Sequence, residues 1–193
     1  MIDPGRAGLL DLLDAHRSRF PEEAAMTTRA RRFVAEIPDC FDRAPLRAHL
    51  SGSAWVLNPA RDHVLLVLHR KLDLWLQPGG HADGDPDLLR VALRETWEEA
   101  GMPEDSVRPL SHAIFDVDVH AIPDTPAEPH HDHYDIRFLL EMDDRMTPPG
   151  NPDEAHAVAW VPLRAVRRFN TMRSVHRMLR KTDALRRGRR VAA

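Results

Sequence analysis

Residues 94–101 read RETWEEAG, so Glu95, Glu98, Glu99 and the guanidinium of Arg94 fall within about two turns of any helix that carries them. On a helical wheel the three carboxylates gather at the three- and four-residue spacings that bring side chains together. Leu89, Leu93, Thr96, Trp97 and Ala100 take the other side. Like charges at that spacing destabilise a helix by roughly 0.2–0.5 kcal/mol a pair. Only Arg90 and Arg94 stand nearby to offset this, and Arg94 precedes Glu98 in the less favourable order. A divalent cation would resolve the repulsion. Magnesium and manganese favour clustered carboxylates supplemented by backbone carbonyls and water, and Gly79 or Gly80 could offer such a carbonyl at close approach.

The elements around this group follow from hydrophobic spacing. Residues 8–20 and 22–37 carry apolar side chains at helical intervals with Pro21 between them, which predicts a helical hairpin. Alternating or continuous apolar runs predict strands at 53–58, 63–69, 74–77, 112–122, 133–142 and 156–163. Gly79 and Gly80 open a polar loop. A helix is expected from Pro86 with Asp85 as its N-cap, ending at Gly101. A closing helix is expected over 172–185, followed by a basic, frayed tail. The domain organisation expected is a helical extension at 1–48, a catalytic-type domain at 49–186 and the tail at 187–193.

A chain of 193 residues, 42% hydrophobic, suffices for one well-packed core. Its net charge of -3 gives no general electrostatic reason to bind nucleic acid or an anionic membrane. An anionic substrate must be attracted locally. Cys40 is the single cysteine, no signal pattern opens the sequence and no apolar run approaches a membrane span, so a cytoplasmic location is expected.

In GHADGDPDLLRVALRETWEEAGM, residues Gly80, Arg94, Glu95, Glu98, Glu99 and Gly101 resemble the Nudix box: a glycine, five residues, a glutamate, seven residues, then REUxEExGU. The resemblance implies an α/β fold, an α/β/α sandwich around a mixed β-sheet. It also implies hydrolysis of a nucleoside diphosphate linked to another moiety, with Mg2+ or Mn2+ as cofactor. Carried over by position, Glu98 and Glu99 would be metal ligands with the Gly80 carbonyl, Glu95 a ligand or an aid to water activation, and Arg94 an orienting group. Two positions depart from the pattern. Pro86 stands where the first glutamate is expected, with Asp83, Asp85 and Asp87 around it, and Thr96 replaces a bulky aliphatic residue.

Other candidates lie outside the box. Arg70 and Lys71 follow a strand and could contact substrate phosphate, although a basic pair often marks a solvated hairpin end. Glu154 precedes a late strand where some Nudix enzymes supply a further acid, and is a candidate base beside Asp153. His120, His130, His131 and His133 with Asp116, Asp118 and Asp132 leave three readings open. They could form a transition-metal site, they could line the mouth of the site so that His120, His133 and Tyr134 touch the leaving portion of a substrate, or they could be exposed loop and strand residues. Trp55, Trp75, Trp97 and Trp160 read as core.

The leading function is therefore a metal-dependent diphosphate hydrolase acting on a small-molecule nucleoside diphosphate derivative. Two alternatives stand beside it: a non-catalytic nucleotide-binding module, for which Pro86 is the argument, and an isoprenoid-diphosphate isomerase, which would need a cysteine such as Cys40 opposite an acid. The helical extension could cover one side of the sheet or form a homodimer interface.

Overall fold

The computed structural model describes residues 3–43, 48–70, 72–124, 129–153 and 155–191, with side chains to residue 188. Helices α1 (Pro4–Ala15) and α2 (Pro21–Glu36) form the hairpin. Each has proline in its first turn, where the missing N–H costs nothing. Asp3 caps α1 by accepting from the amides of Gly5 and Arg6. Buried Arg6 in turn donates to the carbonyls of Val34 and Ala35, satisfying the C-terminal end of α2.

Among the described residues eight strands follow: β1 (Ala48–Leu57), β2 (His63–His69), β3 (Leu74–Leu76), β4 (Gly79–His81), β5 (Val107–Pro109), β6 (Asp116–Ile122), β7 (His131–Met142) and β8 (Ala155–Pro162). Helix α3 (Leu88–Ala100) lies between β4 and β5, and α4 (Arg173–Val191) closes the fold. The sheet is mixed. β1 and β7 run parallel over ten residue pairs from Ala48↔Asp132 to Leu57↔Glu141, while β4 pairs antiparallel with β1, β6 and β5 with β7, and β8 and β3 with β2.

Strand alternation sorts the core into two layers. Leu50, Ala54 and Val56 of β1 and Ile136, Phe138 and Leu140 of β7 face the cluster built with α1, α2 and α3. Trp55, Leu57 and Leu139 face Val175, Met178 and Leu179 of α4. Helices thus cover both faces, the sandwich that the resemblance implied. Of the four tryptophans Trp55 is fully buried, and Trp75, Trp97 and Trp160 pack against one cluster or the other.

The hairpin is joined to the rest of the chain by charge as well as by apolar contact. Fully buried Glu23 of α2 accepts from His16 Nε2 at 2.8 Å, from the amide of Val117 on β6 at 3.2 Å, from Ser18 and from Lys181 of α4. Arg177 holds Asp116 through two hydrogen bonds of 2.8 and 2.7 Å. α4 continues six residues past the expected end at Leu185, because four of those residues are arginines, good helix formers that offset Gly188 and Val191. Among the described residues, no helix is long and apolar enough to cross a membrane.

Candidate functional site

Helix α3 begins at Leu88, two residues later than expected. Asp87, not Asp85, is the N-cap and accepts from the amide of Arg90 at 3.0 Å. Asp85 instead accepts from the amide of Asp87 and pairs with Arg90; burial would raise its pKa, but the hydrogen bonds from Arg90 and the Asp87 amide and the charges of Arg90 and Arg94 together hold its carboxyl below the ordinary range. Pro86 lies outside the helix and abuts Gly5 of α1, where a Cβ would come within 2.4 Å of it. The helix ends as expected: Gly101 takes the left-handed conformation at φ 65°, its amide donates to the Glu98 carbonyl and the Met102 amide donates to that of Trp97.

Gly79 and Gly80 form strand β4 rather than a loop, paired with Ser53 and Gly52 of β1. Close packing demands glycine at position 52, and a side chain at position 80 would displace that of Glu95. A Cβ on Gly52 would lie 2.4 Å from the Leu88 carbonyl oxygen, and one on Gly80 would lie 2.3–2.6 Å from the carboxyl atoms of Glu95. The carboxylate of Glu95 therefore rests directly against the Gly80 backbone. Its Oε1 accepts from Arg94 at 2.9 Å, and Arg94 Nε approaches Glu98 at 3.8 Å. Hydrogen bonding to Glu95 raises the Arg94 pKa above the ordinary arginine value, which keeps the guanidinium charged.

Glu99 does not share an open acidic face with its neighbours. It is buried, and its Oε2 accepts from the Gly79 amide at 3.2 Å, whereas Glu98 is exposed. Thr96 is also buried and returns its hydroxyl to the Ala92 carbonyl, which explains how a polar residue fits that packing position.

A cleft of about 800 Å³ opens here, lined by Gly79, Gly80, Glu95 and Glu99 on one side and by Ser51, Ser53, Asp135, His81, His120 and His133 on the other. Arg43, Arg70, Asp83 and Asp153 stand at its rim. Arg70 donates to the Pro152 carbonyl at 2.6 Å, tying the β2–β3 turn to the segment before β8. That segment also caps α3, with the amides of Gly150 and Asn151 donating to the carbonyls of Ala100 and Glu99. On the cleft floor Asp135 accepts from Ser53 at 2.7 Å, from Ser51 and Gln77 at 3.3 Å, and from Arg137 at 2.6 Å.

Of the candidates named from sequence, Gly80, Glu95, Glu99, Arg70, His120 and His133 meet in this cleft. Tyr134 does not. It sits one residue from His133 on a strand, so it points to the opposite face and stacks on Phe33 of α2 at 4.6 Å. Lys71 and Glu154 lie outside the described residues. Sequence reasoning missed Asp135, His49 and His81, whose partners come from strands far away in the chain.

The donors at this wall of the cleft are oxygens, the kind a hard divalent cation takes. Among the described residues no group of three or more His, Cys, Asp or Glu side chains is placed to hold a metal ion by itself. The glycine cradle nonetheless brings a carboxylate against a backbone strand, with a second carboxylate one turn further on, and oxygen donors of this kind suit magnesium or manganese.

The NUDIX domain model matches residues 48–181. The m7GpppN-mRNA hydrolase NUDT17 of Homo sapiens is 34% identical over 104 residues, covering 51% of this chain and 29% of that protein. Its Bos taurus counterpart is 41% identical over 56 residues, covering 26% and 18%. The matched region thus spans less than a third of the length of these relatives. Among solved structures, a C. elegans Ap4A hydrolase in a binary complex superposes with a TM-score of 0.59 at 17% identity, covering 72% of this chain and 98% of that one. The E. coli dihydroneopterin triphosphate pyrophosphohydrolase does so with a TM-score of 0.53 at 14% identity, covering 67% and 91%. These two likenesses speak to the fold. The matched residues run from β1 through the glycine strand and the box helix into α4, and the chain belongs to the NUDIX domain family.

Proposed function

We propose that the protein hydrolyses a phosphoanhydride bond in a nucleoside diphosphate linked to another moiety, using Mg2+ or Mn2+ held by Glu95, Glu98, Glu99 and the Gly80 carbonyl. The observation that carries this reading is the Glu95 carboxylate pressed against Gly80 at the wall of the cleft. When bound, such an ion supplies charge neutralisation at the phosphate oxygens and lowers the pKa of water.

The side chains have separable tasks. Arg94 orients Glu95 through Oε1, and the Glu95 carboxylate serves as a ligand to the ion or accepts a proton from water. The Gly79 amide orients Glu99. Arg43 and Arg70 at the rim attract a phosphate chain that the net charge of the protein would not. His120 and His133 face the space for the leaving portion. Glu154 is the candidate base, next to Asp153 at the rim. The similar proteins are named for m7GpppN-mRNA, Ap4A and dihydroneopterin triphosphate, and we extend to this chain only their shared kind of bond.

Release of phosphate-containing products should be followed across nucleoside diphosphate sugars, dinucleoside polyphosphates and nucleoside triphosphates, with Mg2+ or Mn2+, for wild type and Glu98→Gln. Glu98 is exposed, so its substitution should leave folding intact. A binding module without turnover is the second reading, favoured by Pro86, which spends the first box position on packing against Gly5. The isomerase reading loses its cysteine. Cys40 is buried in the hydrophobic core, burial pushes its thiol up to about 11, and it does not line the cleft.

A further inference from the structure

The floor of the cleft is organised around one buried carboxylate. Asp135 of β7 lines the cleft and stands opposite Ser51 of β1 in the parallel ladder. Its Oδ1 accepts from Ser53 Oγ at 2.7 Å and from Ser51 Oγ at 3.3 Å, and its Oδ2 accepts from Gln77 Nε2 at 3.3 Å and from Arg137 Nε at 2.6 Å. Arg137 is fixed in turn. Asp118 and Asp116 accept from its other nitrogens at 3.1 and 3.4 Å, and Arg177 of α4 holds Asp116. The carboxylate therefore cannot turn away from the serines without breaking a buried charge pair.

This arrangement decides the hydrogen-bonding sense of the floor. A carboxylate paired with a guanidinium only accepts, and a serine hydroxyl has a single proton to give. With those protons committed to Asp135, Ser51 and Ser53 have only oxygen lone pairs left for a ligand. The same logic orients the Gln77 amide. Its Nε2 faces Asp135, and its Oε1, which has no hydrogen-bond partner among the described residues, is a further acceptor.

A phosphate at neutral pH is itself an anion and an acceptor, so on this floor it would meet Asp135 and the serine lone pairs unfavourably. Arg43 and Arg70 at the rim suit it instead. Hydroxyl groups can donate, and they suit the floor. Ser53 pairs with Gly79, whose amide holds Glu99, so the floor begins directly beside the wall assigned to the ion. His133, which faces the space for the leaving portion, lies two residues from Asp135 on the same face of β7.

We propose that Asp135 sets substrate specificity: by taking the protons of Ser51 and Ser53 it makes the floor an acceptor surface, which selects a leaving portion bearing free hydroxyls, such as a sugar, over an apolar or anionic one. The inference rests on the hydrolase reading for where the diphosphate lies, and adds what the second moiety must present. The serine oxygens make the contact. Asp135 acts through them and is a positioning residue.

The test measures binding to the full chain in the Glu98→Gln background, so that hydrolysis does not consume the ligand. Dissociation constants for ADP-ribose and for the ethyl ester of ADP are compared by calorimetry. The two share nucleoside and diphosphate and differ in whether hydroxyls follow. ADP-ribose should bind about tenfold more tightly, and adding Ser53→Ala or Asp135→Asn should bring that ratio below about threefold. A residue that only supported the fold would weaken both ligands alike. Ser53→Ala leaves the Asp135–Arg137 pair in place, so it keeps the test open if Asp135→Asn fails to fold. Hydrolysis of ADP-ribose by wild type with Mg2+ is followed in parallel: its absence counts against the hydrolase reading, while the binding ratio still decides the inference. Equal binding of the two ligands, no binding of ADP-ribose, or a ratio unchanged in a folded Ser53→Ala protein would overturn it.

Discussion

The carboxylate of Glu95 occupies the space that a side chain at position 80 would need: a Cβ there would lie 2.3 Å from Glu95 Cδ and 2.4 Å from Oε2. This contact explains why the glycine pair and the glutamate run form one device although fourteen residues separate Gly80 from Glu95. Replacing Gly80 by alanine must push the carboxylate away from the β4 backbone. Gly80→Ala should lower turnover by about 100-fold and raise the metal concentration needed for half-maximal rate, read from a Mg2+ or Mn2+ titration of activity.

Tyr134 tests the face assignment on β7. Because its ring stacks on Phe33 beneath α2, Tyr134→Ala should cost about 3 kcal/mol in denaturant unfolding. The turnover of the folded fraction should stay within about threefold of wild type. A large loss of turnover with unchanged stability would return Tyr134 to the cleft.

Glu23 links pH to stability. Burial alone would raise its pKa, but hydrogen bonds from His16, Lys181 and Ser18 outweigh burial and hold it at about 2, against 4.5 when unfolded. The folded state therefore binds the proton less readily than the unfolded state. The stabilisation is complete above pH 4.5 and is lost as pH falls through about 2. Thermal melts over that range should show a falling midpoint for wild type and a flatter profile for Glu23→Gln. That variant should also lose about 2 kcal/mol at neutral pH, because Lys181 keeps Asp116 but loses the second of its two carboxylate partners.

Gly101 tests the C-terminal end of the box helix. Its positive φ, and a Gly150 carbonyl oxygen 3.0 Å from where a Cβ would sit, make alanine there doubly unfavourable. Gly101→Ala should destabilise the protein by about 1–2 kcal/mol, measured by denaturant unfolding.

Much of this was legible in the residues. The helical hairpin, the long strands and the end of the box helix at Gly101 follow from spacing, proline and glycine alone, because those signals are local. The start of α3 was displaced because two aspartates compete as caps, and only packing of Pro86 on Gly5 decides for Asp87. β4 escaped notice because Gly79 and Gly80 carry no side-chain pattern, and β5 because three residues are too few to show a period. The burial of Glu99 depends on the Gly79 amide, twenty residues away. The histidine cluster depends on pairing between β1, β4, β6 and β7, which no local pattern encodes.

The most direct measurement is hydrolysis of the nucleotide panel with Mg2+ or Mn2+ by wild type and Glu98→Gln, with folding of both checked by thermal melting. The metal-held hydrolysis proposed here predicts metal-dependent turnover of at least one phosphoanhydride by wild type, reduced at least about 100-fold in Glu98→Gln with an unchanged melting midpoint. Turnover at equal rates in the two proteins, or none in either across the panel, would contradict it.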